Sequence, residues 1–406
     1  MIQLNSKNIY WVGPRLSDIK DVESIFKGAV TVFGEKRVDN FYNNSFCSFY
    51  KKRINHNNNI YSKEIRSHFN NELSKIIKED NESYFLWYRG RPFSNMRQAI
   101  LDRSICYNSS AIINILSDKL RCRLLMANYV SVLQSKLLFN FECSIQNLKK
   151  IFPGYEEFIL QTPINSFGGL GTHLLNKENQ NKFKFESEEY LVSPFYRKNI
   201  SINQHIIIYP KEVTLLPCSV QLINLIDSKL QYCGGDFSVL DTLPTKTTEK
   251  IYENSLKIGN VLQQLGYRGV LGVDYIVLPD GEILFVEINP RFQGSTVALN
   301  KIMLCNNQMS IQEMHIDSFC NDYPQTLKKP LKSDYSIISY IHSNENLNYN
   351  VEDICKKFNK SKIEIINDGL DNNEIFEKNA YLFRLLINSR VTKISSKETI
   401  INPDII

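Results

Sequence analysis

The sequence predicts a multi-domain α/β protein whose middle third changes character. Three observations carry that prediction. The chain has 406 residues, which at about 150 residues per domain means two or three domains. It opens on a strand–turn–helix–strand pattern, the start of an α/β layer. Its middle holds a long amphipathic helix followed directly by two β runs around Asp280-Gly281.

In chain order, residues 8–12 read as a short strand, Ser17-Asp18 as the cap of a helix through Phe26, and residues 29–33 as a second strand. Residues 62–78 carry apolar side chains at helical spacing (Ile65, Phe69, Leu73, Ile76, Ile77). Residues 84–88 form an aromatic strand ending in Arg89-Gly90-Arg91-Pro92, and residues 111–116 lead into a helix through Met126. Then come strands at 158–161, 189–192 and 204–209, a glycine-rich turn at 168–171, and a helix over 249–265 stopped by Gly266. After Gln325, a strand at 335–341 and a helix ending near Asn388 are expected.

Composition narrows the function. Lys plus Arg is 48 against 43 for Asp plus Glu, a net charge of +5. That is no nucleic-acid footprint. No run reaches the roughly 18 apolar residues of a membrane helix, and the first residues lack the apolar core of a signal peptide. The expectation is a cytoplasmic protein with neither membrane nor nucleic-acid partner. The nine scattered cysteines include no Cys-x-x-Cys pair, which argues for reduced, mostly buried thiols and against a zinc site.

The stretch from Gly269 to Gly294 is the most informative. If Asp280-Gly281 is a two-residue hairpin loop, opposed positions sum to about 561, and Asp274 then faces Glu287. Asn289, two residues on, shares their face. Opposed carboxylates repel, and a divalent cation removes the penalty. Two carboxylates and an amide oxygen are hard ligands suited to Mg²⁺ held against phosphates. A loop of three or five residues would shift the register. The plainer alternative is a solvated sheet face with incidental acids.

These residues, Gly-Val-Asp274-Tyr followed by Glu287-Ile-Asn289-Pro-Arg291, resemble the metal-binding hairpin of the ATP-grasp superfamily. The resemblance implies Asp274, Glu287 and Asn289 as metal ligands for Mg²⁺, with Mn²⁺ as the alternative, and Glu287 and Arg291 as catalytic groups, Arg291 approaching phosphate. Ser117-Asp118-Lys119 resembles the start of the family's nucleotide-binding portion, which gives Lys119 to the ATP phosphates; on its own an Asp-Lys pair is a solvated helix start. Asn165-Ser166-Phe167-Gly168-Gly169-Leu170-Gly171-Thr172 resembles the phosphate-covering loop. Its glycines permit close backbone approach, and Ser166 and Thr172 add donors. A plain hairpin turn is the alternative.

Two departures stand out. Where the family often has a lysine before this loop, the chain has Gln161, which brings no charge; either ATP is held with fewer charges or another residue such as Arg123 compensates. The hinge, Tyr190-Leu191-Val192-Ser193, lacks a glutamate at Ser193, leaving the backbone of Leu191 and Val192 to meet adenine. His205 is expected to be structural. Asn203 and Arg268 lie near the site in the family layout. Arg89 and Arg91 are either a carboxylate fork or a solvated loop.

The resemblance implies an ATP-grasp domain of two α+β lobes over residues 111–325, a nucleotide lobe (111–195) and a metal-binding lobe (196–325). A Rossmann-like α/β domain (1–110) precedes it and an α+β extension (326–406) follows. It implies an ATP- and Mg²⁺-dependent ligase joining a carboxylate to an amine through an acyl phosphate, with release of ADP and phosphate. An amino acid or short peptide is the expected substrate, and a homodimer is left open. A ligase acting on a ribosomal peptide or a carrier-protein thiol is one alternative; a non-catalytic nucleotide-binding protein is another.

Overall fold

The computed structural model describes residues 8–35, 41–54, 62–163, 171–226, 228–238, 242–325, 331, 333–341, 362–371, 374–377, 380–395 and 398–401. The N-terminal part contains β1 (Ile9–Arg15), β2 (Gly28–Phe33), β3 (Tyr42–Ser45), β4 (Lys52–Arg53), β5 (Tyr84–Trp87) and β6 (Ser104–Ile105), with helices α1 (Phe46–Tyr50), α2 (Lys63–Glu79) and α3 (Gln98–Leu101). Five of these strands pair in parallel in the order β3-β2-β1-β5-β6. The sheet's strands β1 and β2 are buried along their whole length, as expected where both faces are covered. Ser62 caps α2 by accepting from the Ile65 amide, and Phe69, Leu73 and Ile76 bury its apolar stripe.

The helix expected from Ser17 to Phe26 is instead two 3₁₀ turns, Leu16–Ile19 and Glu23–Ile25, separated by Asp21 at φ +66°. The capping groups are engaged elsewhere. Asp18 is fully buried, accepting from Arg15 at 3.2 Å and Arg384 at 2.9 Å, while the Ser17 amide and hydroxyl both donate to Asp368.

Helices α4 (Ser110–Ser117) and α5 (Lys119–Met126) lead into the second sheet through β7 (Lys136–Phe139) and α6 (Ile145–Ile151). Next come β8 (Phe158–Gln161), β9 (Thr172–Leu175), β10 (Glu189–Pro194), β11 (Ile200–Ile208), β12 (Val213–Ile226) and β13 (Lys229–Asp236). Helix α7 (Thr245–Gln264) precedes β14 (Gly269–Val277), β15 (Ile283–Asn289), α8 (Thr296–Cys305) and α9 (Ile311–Cys320). The sheet order is β15-β14-β11-β12-β13-β9-β8-β10-β7. It is two antiparallel plates, β15 to β13 and β9 to β7, whose ladder among the described residues is a single position, Lys229 opposite His173. α7 covers the first plate with Ile251, Ile258 and Leu262, and Gly266, at φ +83°, ends it in the left-handed conformation.

The C-terminal strands are β16 (Ser336–Ile341), β17 (Ile363–Asn367), β18 (Ile375–Phe376), β19 (Tyr381–Ile387), β20 (Thr392–Ser395) and β21 (Glu398–Ile401). β16, β17 and β19 extend the sheet, since β16 pairs with β13 and β19 and β17 with β19, while β18 pairs with β4 of the N-terminal part and β20 with β21. The expected helix ending near Asn388 is therefore the strand β19. All seven of its residues are buried, Arg384 among them, and a stretch buried on both faces has no period by which to tell the two apart. Arg53 stitches the ends of the chain together, donating to the carbonyls of Tyr381, Asp368 and Leu382 and pairing with Glu374.

Candidate active site

The site is built on the β14–β15 hairpin, and two local features set its register. Leu278 and Glu282 close the turn around Pro279-Asp280-Gly281, with Gly281 at φ +91°. The loop thus has three residues, not two. That alone would misalign the strands. A β-bulge at Val286 shifts the register back, so that Tyr275 faces Phe285 while Asp274 faces Glu287 and Gly272 faces Asn289. The same row continues across the sheet, because Asp274 also faces Asn203, and Asn203 faces Ser219.

Asp274 is buried and held by amides. Its Oδ1 accepts from Asn203 at 2.5 Å and Gln221 at 3.2 Å, and its Oδ2 from Asn289 at 2.9 Å. Burial, reinforced by the Glu287 charge, pushes its carboxyl up to about 7. The Asn289 amide also reaches Glu287 Oε1 at 3.4 Å, and Arg291 Nη2 donates to Asn289 Oδ1 at 2.9 Å. One point between the strands therefore bridges both carboxylates, and a hard dication fits that donor set. Ligation through the Asn289 oxygen requires the amide to turn over, which releases Arg291 from it. Among the described residues, no group of three His, Cys, Asp or Glu side chains is arranged for a metal; the set here is two carboxylates and an amide.

α5 supplies the opposing charges. Asp118 caps it by accepting from the Arg121 amide. Lys119, far from being a solvated helix residue, is buried with its Nζ 3.6 Å from Glu287 Oε2. Arg123, one turn on, donates through Nε to the Val286 carbonyl at 2.9 Å and through Nη2 to Gln161 Oε1 at 2.8 Å. The bulge makes that carbonyl available to it. Burial lowers the guanidinium's ordinary value to about 10.

Of the expected phosphate loop, Ser166, Gly168 and Gly169 lie outside the described residues. Its base is described: the Thr162 amide donates to the Gly171 carbonyl at 2.9 Å, and the Lys119 amide to Pro163 at 3.1 Å. Gly171 sits at φ +71°, where a Cβ would overlap the Thr162 side chain. Thr172 begins β9 opposite Gln161. Leu191 and Val192 are fully buried in β10, paired with β8 on one edge and β7 on the other. Beyond Val192, β7 no longer pairs with β10.

Other residues divide clearly. His205 is fully buried near Ser295, pushed down to about 3 by burial, and so is a neutral structural imidazole. Arg268 donates to the adjacent Tyr267 carbonyl and does not join the carboxylates. Arg89 stacks on Phe93. Gln221 and Gln293 were not legible as site residues, although Gln293 accepts from Asn203 at 3.0 Å. The register of β11 against β12, which places Ser201 beside Gln221, is the signal that would have found the first. A Cβ on Gly272 would overlap the Gln293 side chain, so the glycine makes room for it. The N-terminal part reaches the site through Tyr88, whose carbonyl accepts from Phe292 and whose ring lies 6.0 Å from the Arg291 guanidinium.

Residues 142–295 match the family of the ATP-grasp domain. Among curated proteins, the chain is 28% identical over 159 residues to the [butirosin acyl-carrier protein]–L-glutamate ligase of Niallia circulans, covering 37% of this chain and 36% of that one. It thus spans about a third of that relative's length. Carboxyaminoimidazole ribonucleotide synthase of Aspergillus clavatus, solved with ATP, superposes with a TM-score of 0.62 at 12% identity, covering 94% of each chain. The biotin carboxylase domain of Hydrogenobacter thermophilus 2-oxoglutarate carboxylase, solved with MgADP and bicarbonate, gives 0.62 at 13% identity, covering 94% of this chain and 86% of that one. At such identities the likeness shows a shared α/β fold over nearly the whole chain. Among the described residues no helix is long and apolar enough to cross a membrane.

Proposed function

On the premise that the chain carries an ATP-grasp domain, we propose that it is an ADP-forming ligase that joins a carboxylate to an amine. The observation that supports this most is the opposed pair Asp274–Glu287, bridged by Asn289 and approached by Lys119 from α5. The reading divides the chain into a preceding α/β domain (1–110), the ATP-grasp domain (111–325) and an extension (326–406). The nucleotide lies in the cleft where the two plates of the sheet share one paired position.

In this reading the substrate carboxylate attacks the γ-phosphorus of ATP, the bond to ADP breaks, and an amine then displaces phosphate from the acyl phosphate. The chain's own work is positioning and charge neutralisation. Lys119 leaves Glu287 for phosphate oxygens. Arg291, released from Asn289, faces the transferring group. Asp274, Glu287 and Asn289 hold Mg²⁺, or Mn²⁺, which supplies Lewis-acid stabilisation of phosphate charge. The glycine loop closes over the phosphates and excludes water, with Gly168, Gly169 and Gly171 allowing close approach and Ser166 and Thr172 donating.

An amino acid or short peptide is the favoured substrate. The similarity to a carrier-protein glutamate ligase favours one second reading, in which the acyl group passes to a carrier-protein thiol. Incubation with Mg-ATP and pools of amino acids and short peptides, with and without a phosphopantetheinylated carrier protein, tests both. ADP and orthophosphate appearing only with a carboxylate substrate is the expected result. AMP and pyrophosphate, or no nucleotide turnover in any pool, would overturn the proposal.

A further inference from the structure

β8 ends on a neutral side chain, Gln161, and the cation that meets it stands on α5. Arg123 is 2% exposed and lies four residues after Lys119, on the same face of α5. Its Nε and Nη2 are spent on two neutral acceptors, the Val286 carbonyl and Gln161 Oε1. Its Nη1 has no hydrogen-bond partner among the described residues, although it is buried. A buried guanidinium whose hydrogen bonds reach only neutral oxygens, with Glu287 as its nearby counter-charge, leaves one donor unmet at a cost. An anion arriving beside it offsets that cost.

The orientation of Gln161 follows from the same contact. Arg offers only donors, so the glutamine must turn its oxygen toward it. The reverse orientation would set an amide N–H against guanidinium N–H groups. The Gln161 amide nitrogen therefore faces the other way, toward Thr172 Oγ1 at 3.5 Å, at the base of the loop that Gly171 closes.

We propose that Arg123 supplies a phosphate-binding charge from α5, and that it fixes Gln161 as an amide donor pointed at the same nucleotide. The proposal rests on the ATP-dependent ligase reading and adds a residue to it. Charge and strand position are separated: the cation sits on the helix, and the strand presents a neutral relay. The bulge at Val286 belongs to the device, because its carbonyl anchors the guanidinium next to Glu287.

The test is titration calorimetry with ADP and with a non-hydrolysable ATP analogue, paired with thermal melting, on the wild type and four variants. Arg123→Met should weaken nucleotide binding at least about tenfold, in line with loss of a hydrogen bond to a charged group. Gln161→Lys alone should also impair binding, because it sets two cations against each other. Arg123→Met combined with Gln161→Lys should return affinity to within about threefold of wild type. Gln161→Glu should give Arg123 a buried counter-ion, so melting should hold or rise while affinity falls at least about tenfold. A purely structural arginine would not separate the two readouts. Wild-type affinity in folded Arg123→Met, no recovery in the double variant, or unimpaired binding by Gln161→Glu would each overturn the inference while leaving the ligase reading standing. If Arg123→Met does not fold, Gln161→Glu decides. A wild-type chain that binds neither nucleotide would overturn both.

Discussion

Replacing Glu287 with Gln isolates the chemistry of the hairpin from its folding. The change keeps shape and removes one charge. Three contacts respond. The Lys119 pair at 3.6 Å is lost, but Glu287 is a quarter exposed, so that pair is worth at most about 1 kcal/mol. The Asn289 contact at 3.4 Å survives, because an amide oxygen still accepts. The repulsion across to Asp274 disappears, a gain of about 0.2–1 kcal/mol. These terms oppose one another, and the net stability change should stay within about 1 kcal/mol. For a domain of 150–250 residues that is a melting shift of at most about 2–4 °C. Turnover should fall far more, by at least about a hundredfold, because one preorganised electrostatic group at developing charge is worth roughly 3–4 kcal/mol. The assays are nucleotide chromatography after incubation with Mg-ATP and a carboxylate pool, and calorimetric melting. Full activity in the variant would refute the catalytic assignment. A loss of several kcal/mol of stability would refute the bookkeeping and make Glu287 a structural residue.

Asp274 should make stability depend on pH with a definite sign. Its carboxyl is raised from 3.8 to about 7, so below about pH 4 it is protonated in both folded and unfolded chains, and the cost of ionising it in place accrues between about pH 4 and 7. Metal-free protein should lose stability as pH rises through that window, whereas stabilisation by Mg²⁺ should grow; parallel melting curves with and without Mg²⁺ would contradict this. Lys119→Met should weaken binding of an ATP analogue by at least about tenfold. It should shift melting only slightly, because its partner Glu287 remains partly solvated; unchanged affinity by calorimetry would remove Lys119 from the site. Gly171→Val forces a branched residue into φ +71° and against Thr162, which should cost about 1–3 kcal/mol locally and depress turnover. Hydrogen exchange at the loop base that ignores nucleotide in the wild type would count against the loop's role.

The parts of the fold legible in the sequence were those with a period or a punctuation mark. Ile65, Phe69, Leu73 and Ile76 announced α2, Gly266 ended α7, and the Asp-Gly pair marked the hairpin. The pairing of Asp274 with Glu287 was reached from a wrong premise. The turn has one residue more than expected, and the bulge at Val286 absorbs it. A bulge leaves no trace in an alternating pattern, because what decides it is where Arg123 needs a carbonyl and where the carboxylates must meet. Strand β19 was hidden because burial on both faces erases alternation. Ser17 and Asp18 looked like a helix cap because local sequence gives no sign of partners some 350 residues away. Gln221 is an ordinary polar residue of β12, and Gln293 of the loop after β15, until the registers of β12, β11 and β14 bring Gln221 to Asp274 and the loop brings Gln293 to Asn203.

The pairing of Asp18 with Arg384, 366 positions apart, bears on how the chain is made. Ribosomes add about 5–20 residues per second. The first parallel sheet emerges early, yet for roughly 15–55 s afterwards the carboxylate of Asp18 and the guanidinium of Arg53 lack the C-terminal groups that neutralise or accept from them. In that interval Asp18 has Arg15 but not Arg384, and Arg53 lacks its C-terminal acceptors, so the nascent N-terminal sheet stays loose or hydrated until β19 arrives. Its final closure is then an event of later rather than early synthesis, and a ribosome-stalled fragment ending before β16 should remain open to protease where the full chain resists.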